Sequence, residues 1–266
     1  MNIRIENGSF AYKDGPMLLK QIDLEAGEGQ MIAVLGPNGV GKTTLLRCML
    51  GLLPWKEGQT ILNGTEIKEI PKRSFWQQVS YVPQAKAAAA AYTVEEMLLL
   101  GRASHIAPFA APTKTDLAIV QSVMERLHIT ALRRKRCNSI SGGELQMALI
   151  GRALVAGAGI LVLDEPESNL DFRNQLIVLE TLKELAQEGR TIIFNTHYPA
   201  HALQHADKAL LLRADGSSRF GAVEEVITED TIREAFGVHS VIRTIESERG
   251  IVRDVVPVAL QDKTES

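Results

Sequence analysis

Cysteine is scarce in this chain: Cys48 and Cys137 are the only two in 266 residues. They stand far apart and form no C-x-x-C, which argues against a disulfide framework or a zinc site and fits a reducing compartment. Long hydrophobic runs are missing too. None approaches the roughly 18 residues that span a bilayer, so any membrane role must come through a partner. The opening residues, Met1-Asn2-Ile3-Arg4-Ile5-Glu6, lack the apolar core of a secretory signal. There is no basic excess either. Lys and Arg number 29 against 32 Asp and Glu, a formal net charge of −3, which does not suggest a nucleic-acid binder. What is present is ordinary for a soluble globule: 45% apolar residues and enough length for one large α/β domain or two small ones.

The chain is organised around Gly36-Pro37-Asn38-Gly39-Val40-Gly41-Lys42-Thr43-Thr44, which fits the phosphate-binding pattern G-x-x-x-x-G-K-[ST]. Met31–Leu35 before it reads as a buried strand, and Leu45–Leu50 after it as a helix ending near Gly51. In that context the glycines let backbone N–H groups turn inward on a phosphate. The helix N-terminus adds unpaired donors and its dipole. Lys42 can reach the β- and γ-phosphates, and the Thr43 hydroxyl can hold Mg²⁺.

Upstream, Ile3, Ile5, Phe10 and Tyr12 mark one strand and Leu18, Ile22 and Leu24 a second, with a turn at Lys13-Asp14-Gly15-Pro16. The pair reads as an antiparallel sheet. Tyr12 has two readings, a ring stacked on a purine or one more sheet aromatic. Downstream, Gly58–Leu62 and Gln78–Val82 read as short strands, with Asn63-Gly64 as a turn and Gln84 at a strand end. From residue 85 the pattern becomes helical. A five-alanine run, Ala87–Ala91, precedes a capping box at Thr93-Val94-Glu95-Glu96 and a helix to Gly101. A Pro-containing loop, His105–Thr115, follows. An amphipathic helix is then expected from Asp116 to Leu132, and Arg133–Arg136 reads as a solvated face.

Ser141-Gly142-Gly143-Glu144 opens a helix expected to run through Leu154. Ser141 and Glu144 have capping-box spacing. Two glycines in a first turn each weaken a helix by up to roughly 1 kcal/mol, which makes sense if an anion approaches that positive end closely. Ile160–Leu163 is a fully apolar run, hence a central parallel strand. It ends in Asp164-Glu165, where α/β folds bind ligands. There Asp164 can hold Mg²⁺ through water, and Glu165 can orient or deprotonate an attacking water. Phe172–Gln187 reads as a helix, and Thr191–Phe194 and Ala209–Leu212 as strands. Val238–Ile245 and Ile251–Val258 form two more, joined at Arg249-Gly250. His197, His201 and His205 are spaced like a metal stripe on a helix. Pro199, best placed at the first helical position, breaks it by leaving His197 in the preceding loop. His201 and His205 are then expected as an exposed pair.

Taken together and in this order, the motifs resemble those of ATP-binding cassette (ABC) transporter ATPase subunits across nearly the whole chain. Tyr12 matches the adenine-stacking aromatic, Gly36–Thr44 the Walker A loop and Gln84 the Q-loop. Ile140-Ser141-Gly142-Gly143-Glu144 matches the signature usually written LSGGQ. Ile160–Glu165 matches Walker B, Ser168–Asp171 the D-loop, and His197 the switch histidine. Two positions depart from the pattern, Ile140 for Leu and Glu144 for Gln. A carboxylate beside a triphosphate repels it unless it turns away into the capping box. Within the family, Tyr81–Gln84, Thr93–Glu96 and Gly101–His105 resemble importers of iron–siderophore, haem or cobalamin.

The resemblance implies an α/β fold: a P-loop NTPase (RecA-like) core with an antiparallel β subdomain and an inserted α-helical subdomain. The core would comprise about residues 1–84 and 156–240, the helical subdomain about 85–155, and C-terminal strands about 241–260. It implies ATP and Mg²⁺ as ligands, with catalysis by Glu165, His197 and Gln84. ATP would be bound by Tyr12 and by Gly36, Pro37, Asn38, Gly39, Val40, Gly41, Lys42, Thr43 and Thr44. Mg²⁺ would be held by Thr43, Gln84 and Asp164. Ser141, Gly142, Gly143 and Glu144 would meet the ATP of a second copy, with Asp171 in the D-loop between. Implied partners are that second copy, integral membrane permease subunits and a separate substrate-binding protein, with no nucleic acid. The chain would sit peripherally on the cytoplasmic face of the inner membrane. The alternatives are a soluble ABC ATPase of iron–sulfur assembly, a molybdate importer subunit and an exporter subunit. A translation or DNA-repair ABC protein fits less well, because the chain has neither a second cassette nor a long coiled-coil insertion.

Overall fold

A computed structural model describes residues 1–13, 15–84, 92–106, 110–248 and 250–261. The five-alanine run and parts of the expected turn at 13–16, of the 105–115 loop and of the 249–250 join lie outside the described residues.

The chain opens with β1 (Ile3–Ala11) and β2 (Met17–Ala26), paired antiparallel as expected. Next come β3 (Met31–Leu35), helix α1 (Lys42–Met49), and β4 (Glu57–Leu62), which pairs antiparallel with β1. Asn63 and Gly64 do form a tight turn, both with positive φ (50° and 86°), but it closes β4 onto a short strand β5 (Thr65–Glu66). Helix α2 (Lys72–Gln78) then precedes β6 (Val79–Val82). Gln78 therefore ends a helix rather than starting a strand. That helix has too few residues and too weak a period to stand out in sequence.

The helical region holds α3 (Val94–Leu99), α4 (Lys114–Arg126) and α5 (Gly142–Val155). The capping box at Thr93 and Glu96 is present. Helix α4 differs from the expected Asp116–Leu132. Thr113 caps it and Asp116 is its third residue, the two side chains reciprocating on each other's backbone N–H. The hydrogen bonds from Thr113 and the Arg102 guanidinium hold the Asp116 carboxyl down to about 2. The helix stops before His128, whose φ is +55°. Periodicity extended the reading because Leu127 and Leu132 are both buried, although different local structures bury them.

The second half is β7 (Ile160–Asp164), α6 (Phe172–Gln187), β8 (Thr191–Asn195), α7 (Pro199–His205) and β9 (Lys208–Leu212). Then follow β10 (Ser218–Ala222), α8 (Val223–Val226), α9 (Glu229–Phe236) and the hairpin β11 (Val238–Ser247) with β12 (Gly250–Leu260). Strands β2-β1-β4-β5 form one antiparallel sheet, and β10-β9-β3-β8-β7-β6 form the central sheet. In the latter, β9 through β6 are parallel and only the β10 edge is antiparallel.

The apolar runs have the composition they do because this sheet is covered on both faces. On β3, Met31, Ala33 and Leu35 face the core shared with the helical region, while Ile32 and Val34 face the core shared with the antiparallel sheet. Strands β7 and β8 repeat the division, with Leu161, Leu163, Ile192 and Phe194 on one side and Ile160, Val162 and Ile193 on the other. Each of the larger side chains among these contributes roughly 1.5–3 kcal/mol by leaving water.

Pro199 is the first residue of α7, as expected. His201 and His205, however, are not an exposed pair. The His201 side chain is 20% exposed, and both Nδ1 atoms are buried. The C-terminal hairpin covers α7, with Gln204 donating to the Arg253 carbonyl, a contact from nearly fifty residues downstream. Burial, helped by Lys183 and His201, pushes the His205 pKa from 6.5 down to about 4. The folded chain thus keeps His205 neutral where the unfolded chain protonates it. This stability is complete above about pH 6.5 and is lost as pH falls toward 4. His205→Leu is expected to make the loss of urea midpoint between pH 6.5 and 4 shallower than in the parent; an unchanged slope would show that His205 does not titrate as described.

Candidate functional site

Four neighbouring parallel strands end level with one another. Val34 on β3 pairs with Asn195 on β8, Asn195 with Asp164 on β7, and Leu163 with Val82 on β6. At about 4.8 Å per strand, their ends bring the 36–44 loop, His197, Asp164-Glu165 and Gln84 onto one edge about 14 Å long.

The phosphate loop begins at Gly36, where a Cβ would stand 2.7 Å from the Leu212 carbonyl oxygen. It ends at Gly41, which caps α1 with φ +111° and no side-chain hydrogen bond. The first N–H groups of α1 are therefore free of a side-chain cap at a positive helix end. Lys42 is buried, and its Nζ donates to the carbonyls of Gly36 (2.7 Å) and Pro37 (3.0 Å). Burial lowers its pKa, and the nearby Glu165 and Asp164 partly offset that. Tyr12 is half exposed. Its hydroxyl lies 3.0 Å from Thr44 Oγ1, and its ring stands edge-on to Phe10, so it adjoins the first turn of α1.

Thr43, Asp164, Glu165 and Gln84 form one bonded group. Thr43 Oγ1 donates to Asp164 Oδ1 (2.9 Å). Gln84 Nε2 donates to Glu165 Oε2 (2.8 Å), as does Ser168 Oγ (3.0 Å). The Glu165 backbone has φ +49°, a left-handed conformation that costs roughly 1–3 kcal/mol in a non-glycine residue. Its N–H donates to Asn195 Oδ1, and Asn195 Nδ2 donates to Asp164.

Neither Asn195 nor Tyr81 was among the site residues expected from the sequence, Tyr81 entering only in the Tyr81–Gln84 stretch that resembles the importers. Asn195 is wholly buried between the two acidic positions. The Tyr81 hydroxyl donates to Asp164 Oδ2 (3.3 Å), and burial beside that carboxylate pushes its pKa up to about 12. For Asn195 the available signal was a polar residue at the end of an apolar run; Tyr81 lies inside β6, beside Ser80, and offered no such signal. His197 is half-buried and packs against Tyr198, ring centroids 3.9 Å apart.

Ser141–Glu144 and Asp171 stand apart from this group. Among the described residues no hydrogen bond links them to the 36–44 loop. Asp171 is exposed and caps α6 through Asn174. The capping box of α5 is present: Glu144 N–H donates to Ser141 Oγ (3.2 Å), and Glu144 Oε2 accepts from Ser141 N–H (2.8 Å). The Glu144 carboxylate is thus turned back on its own helix start, and those bonds, with Lys135 nearby, lower its pKa. The two glycines differ. A Cβ on Gly143 would meet the Asn169 carbonyl oxygen and Leu170 at 3.2 Å, whereas Gly142 faces open space. Packing on the 168–171 turn therefore accounts for Gly143, and only Gly142 leaves the helix start open to the close approach of an anion.

The chain matches the family model described as ABC transporter over residues 19–168. It is 34% identical over 235 residues to the molybdate import ATP-binding protein MolC of Haemophilus influenzae, covering 88% of this chain and 87% of the relative. It is 32% identical over 215 residues to an iron chelatin transport ATP-binding protein of Helicobacter pylori, covering 80% and 84%. A solved inward-facing metal-chelate type ABC transporter superposes with a TM-score of 0.84 at 31% identity, over 96% of this chain and 97% of that one.

The Glu144 cap can be tested directly. Glu144→Ala should lower stability by about 1 kcal/mol, and Glu144→Gln by less than half of that, in urea unfolding at pH 7. A loss below about 0.3 kcal/mol in Glu144→Ala would mean that the carboxyl group does not cap α5.

Proposed function

From the premise that this chain belongs to the ABC transporter family and is an ATP-hydrolysing subunit of a membrane transporter, we propose that it drives import of a metal chelate such as an iron–siderophore, haem or cobalamin. The observation that carries the site assignment is the bonded group Thr43–Asp164 and Gln84–Glu165 beside Lys42 at the uncapped start of α1. Lys42, the loop residues Gly36–Thr44 and the first N–H groups of α1 hold the triphosphate, and Tyr12 stacks on the base. The Thr43 hydroxyl, the Asp164 carboxylate and the Gln84 amide oxygen are hard oxygen donors suited to Mg²⁺, which when bound neutralises phosphate charge. Glu165, held by Gln84 and Ser168, orients the attacking water and takes its proton, and His197 contacts the γ-phosphate.

One phosphate loop and one signature per chain mean that each ATP needs two copies. The pair is head-to-tail and two-fold symmetric, with Ser141, Gly142 and Gly143 of one copy facing the ATP of the other. Glu144 serves the α5 cap in this arrangement, and Asp171 lies at the joint. Gln84, between the core (about 1–84 and 156–240) and the helical subdomain (about 85–155), carries closure to permease subunits. The chain sits on the cytoplasmic side of the membrane, and a separate binding protein delivers cargo. Consistent with a peripheral role, no helix among the described residues is long and apolar enough to cross a membrane.

Molybdate is the second reading, favoured by the similarity to MolC. Uptake of labelled molybdate against labelled iron chelate by the reconstituted complex separates the two.

Glu165→Gln is expected to bind ATP and accumulate as a stable dimer in gel filtration with ATP; rapid turnover in this variant would remove Glu165 from the water-activating role. Lys42→Ala should abolish ATP-dependent uptake by the assembled transporter, and undiminished uptake would defeat the phosphate-loop assignment.

A further inference from the structure

Glu167, two residues beyond Glu165, has 0% of its surface exposed. A carboxylate so far from water needs donors. Its Oε1 accepts from the Thr196 hydroxyl, and His201 Nδ1 stands 3.6 Å from the same oxygen. Thr196 is equally buried. Its N–H donates to the Val34 carbonyl (3.0 Å), and its Oγ1 accepts from the Tyr198 N–H (3.0 Å). The Tyr198 ring lies against His197 (3.9 Å between centroids) and against His201 (4.9 Å). Both residues flanking His197 are therefore tied, directly or through one bond, to the Glu167 carboxylate. The His197 side chain itself makes no hydrogen bond among the described residues, so its direction is set by these neighbours. At its other end Glu167 belongs to the turn after Glu165. There Ser168 N–H donates to the Glu165 carbonyl (3.1 Å), and Gln175 Nε2 (3.5 Å) approaches the Glu167 carbonyl.

Stability alone argues against a Glu at this point. An apolar side chain of similar volume, such as Met, would fill the space without the cost of desolvating a charge. Met would offer the Thr196 hydroxyl only a weak sulfur acceptor in place of the carboxylate. We propose that Glu167 is a positioning residue that holds the His197 loop in register with the Glu165 turn, so that the residue addressing the γ-phosphate and the residue addressing the water keep a fixed separation. This rests on the reading of His197 as the γ-phosphate contact. The physical basis is that a misplacement of about 1 Å at a reacting group costs up to roughly 100-fold in rate, while binding made by other groups is untouched.

The test is steady-state ATP hydrolysis by the full chain, followed by labelled phosphate release so that residual rates stay measurable. The variants are Glu167→Met, Glu167→Gln, Thr196→Val, His197→Ala, and the double variant Glu167→Met with His197→Ala. Glu167→Met and Thr196→Val are expected to lower kcat by roughly tenfold or more with KM for ATP within about twofold. Glu167→Gln, which still accepts from Thr196, should retain most of kcat. In the His197→Ala background Glu167→Met should cause no further loss. Losses that multiply in the double variant, or a parental kcat in Glu167→Met, would overturn the positioning role. Should Glu167→Met fail to fold, Thr196→Val combined with His197→Ala runs the same cycle. If His197→Ala keeps the parental kcat, the reading of His197 falls and this proposal with it. If His197→Ala is impaired and the losses multiply, that reading stands and only the role of Glu167 is lost.

Discussion

The site depends on one carboxylate. Asp164 sits at the end of a central strand and accepts hydrogen bonds from Thr43 on α1, Tyr81 on β6 and Asn195 on β8. Three elements distant in sequence are pinned to one side chain that is itself almost completely buried. A charge in that position is tolerable only with such a set of donors. Those same donors define where the phosphate-loop hydroxyl stands relative to Glu165. Removing the carboxylate would leave Asn195 and Thr43 without their partner, so the local geometry and the capacity for chemistry go together.

Asp164 can be placed this way because the strands beside it are apolar on both faces. Strands β3, β7 and β8 divide their side chains between two cores, one under the helical region and one under the antiparallel sheet. Burial on both sides fixes the register, since a slip of one residue would exchange the two sets of side chains. Register in turn makes Val34, Asn195 and Asp164 neighbours. The polar residues at the strand ends then gather oxygen and nitrogen donors and acceptors along one edge of the sheet. The positive φ of Glu165 is held there by Asn195 and Ser168, so the strain is distributed over bonds the sheet has already fixed.

Much of this was legible in the residues. The phosphate loop, the apolar strands 31–35, 160–163 and 191–194, the capping boxes at Thr93 and Ser141 and the helix 172–187 all carry local signals, because caps, turns and two-sided strands are decided within a few residues. Helix α2, strand β10 and helices α8 and α9 were not read. All are short, and packing specifies α2, β10 and α8 more than period does, whereas α9 carried local signals that went unread, a Thr228 cap and a Gly237 stop at φ +66°. The length of α4 was misjudged because buried leucines continue past its end in a different local structure. His201 and His205 were misjudged because the hairpin that covers them comes from the end of the chain. Asn195 and Glu167 carried no motif of their own. A buried polar side chain becomes conspicuous only when its partners are known.

By itself, then, the sequence determined the chemistry on offer: a lysine and threonine at a glycine-rich helix start, two acids after an apolar strand, and a histidine after another. These are local patterns, and local sterics and hydrogen bonding suffice to form them. Which of these groups touch was decided by the tertiary structure alone. Thr43 meets Asp164, and Gln84 meets Glu165, across separations of 121 and 81 residues. Those contacts exist because the order of strands in the sheet differs from their order in the chain. Spacing along a sequence carries no direct record of that order, because it is set by the burial of both sheet faces at once.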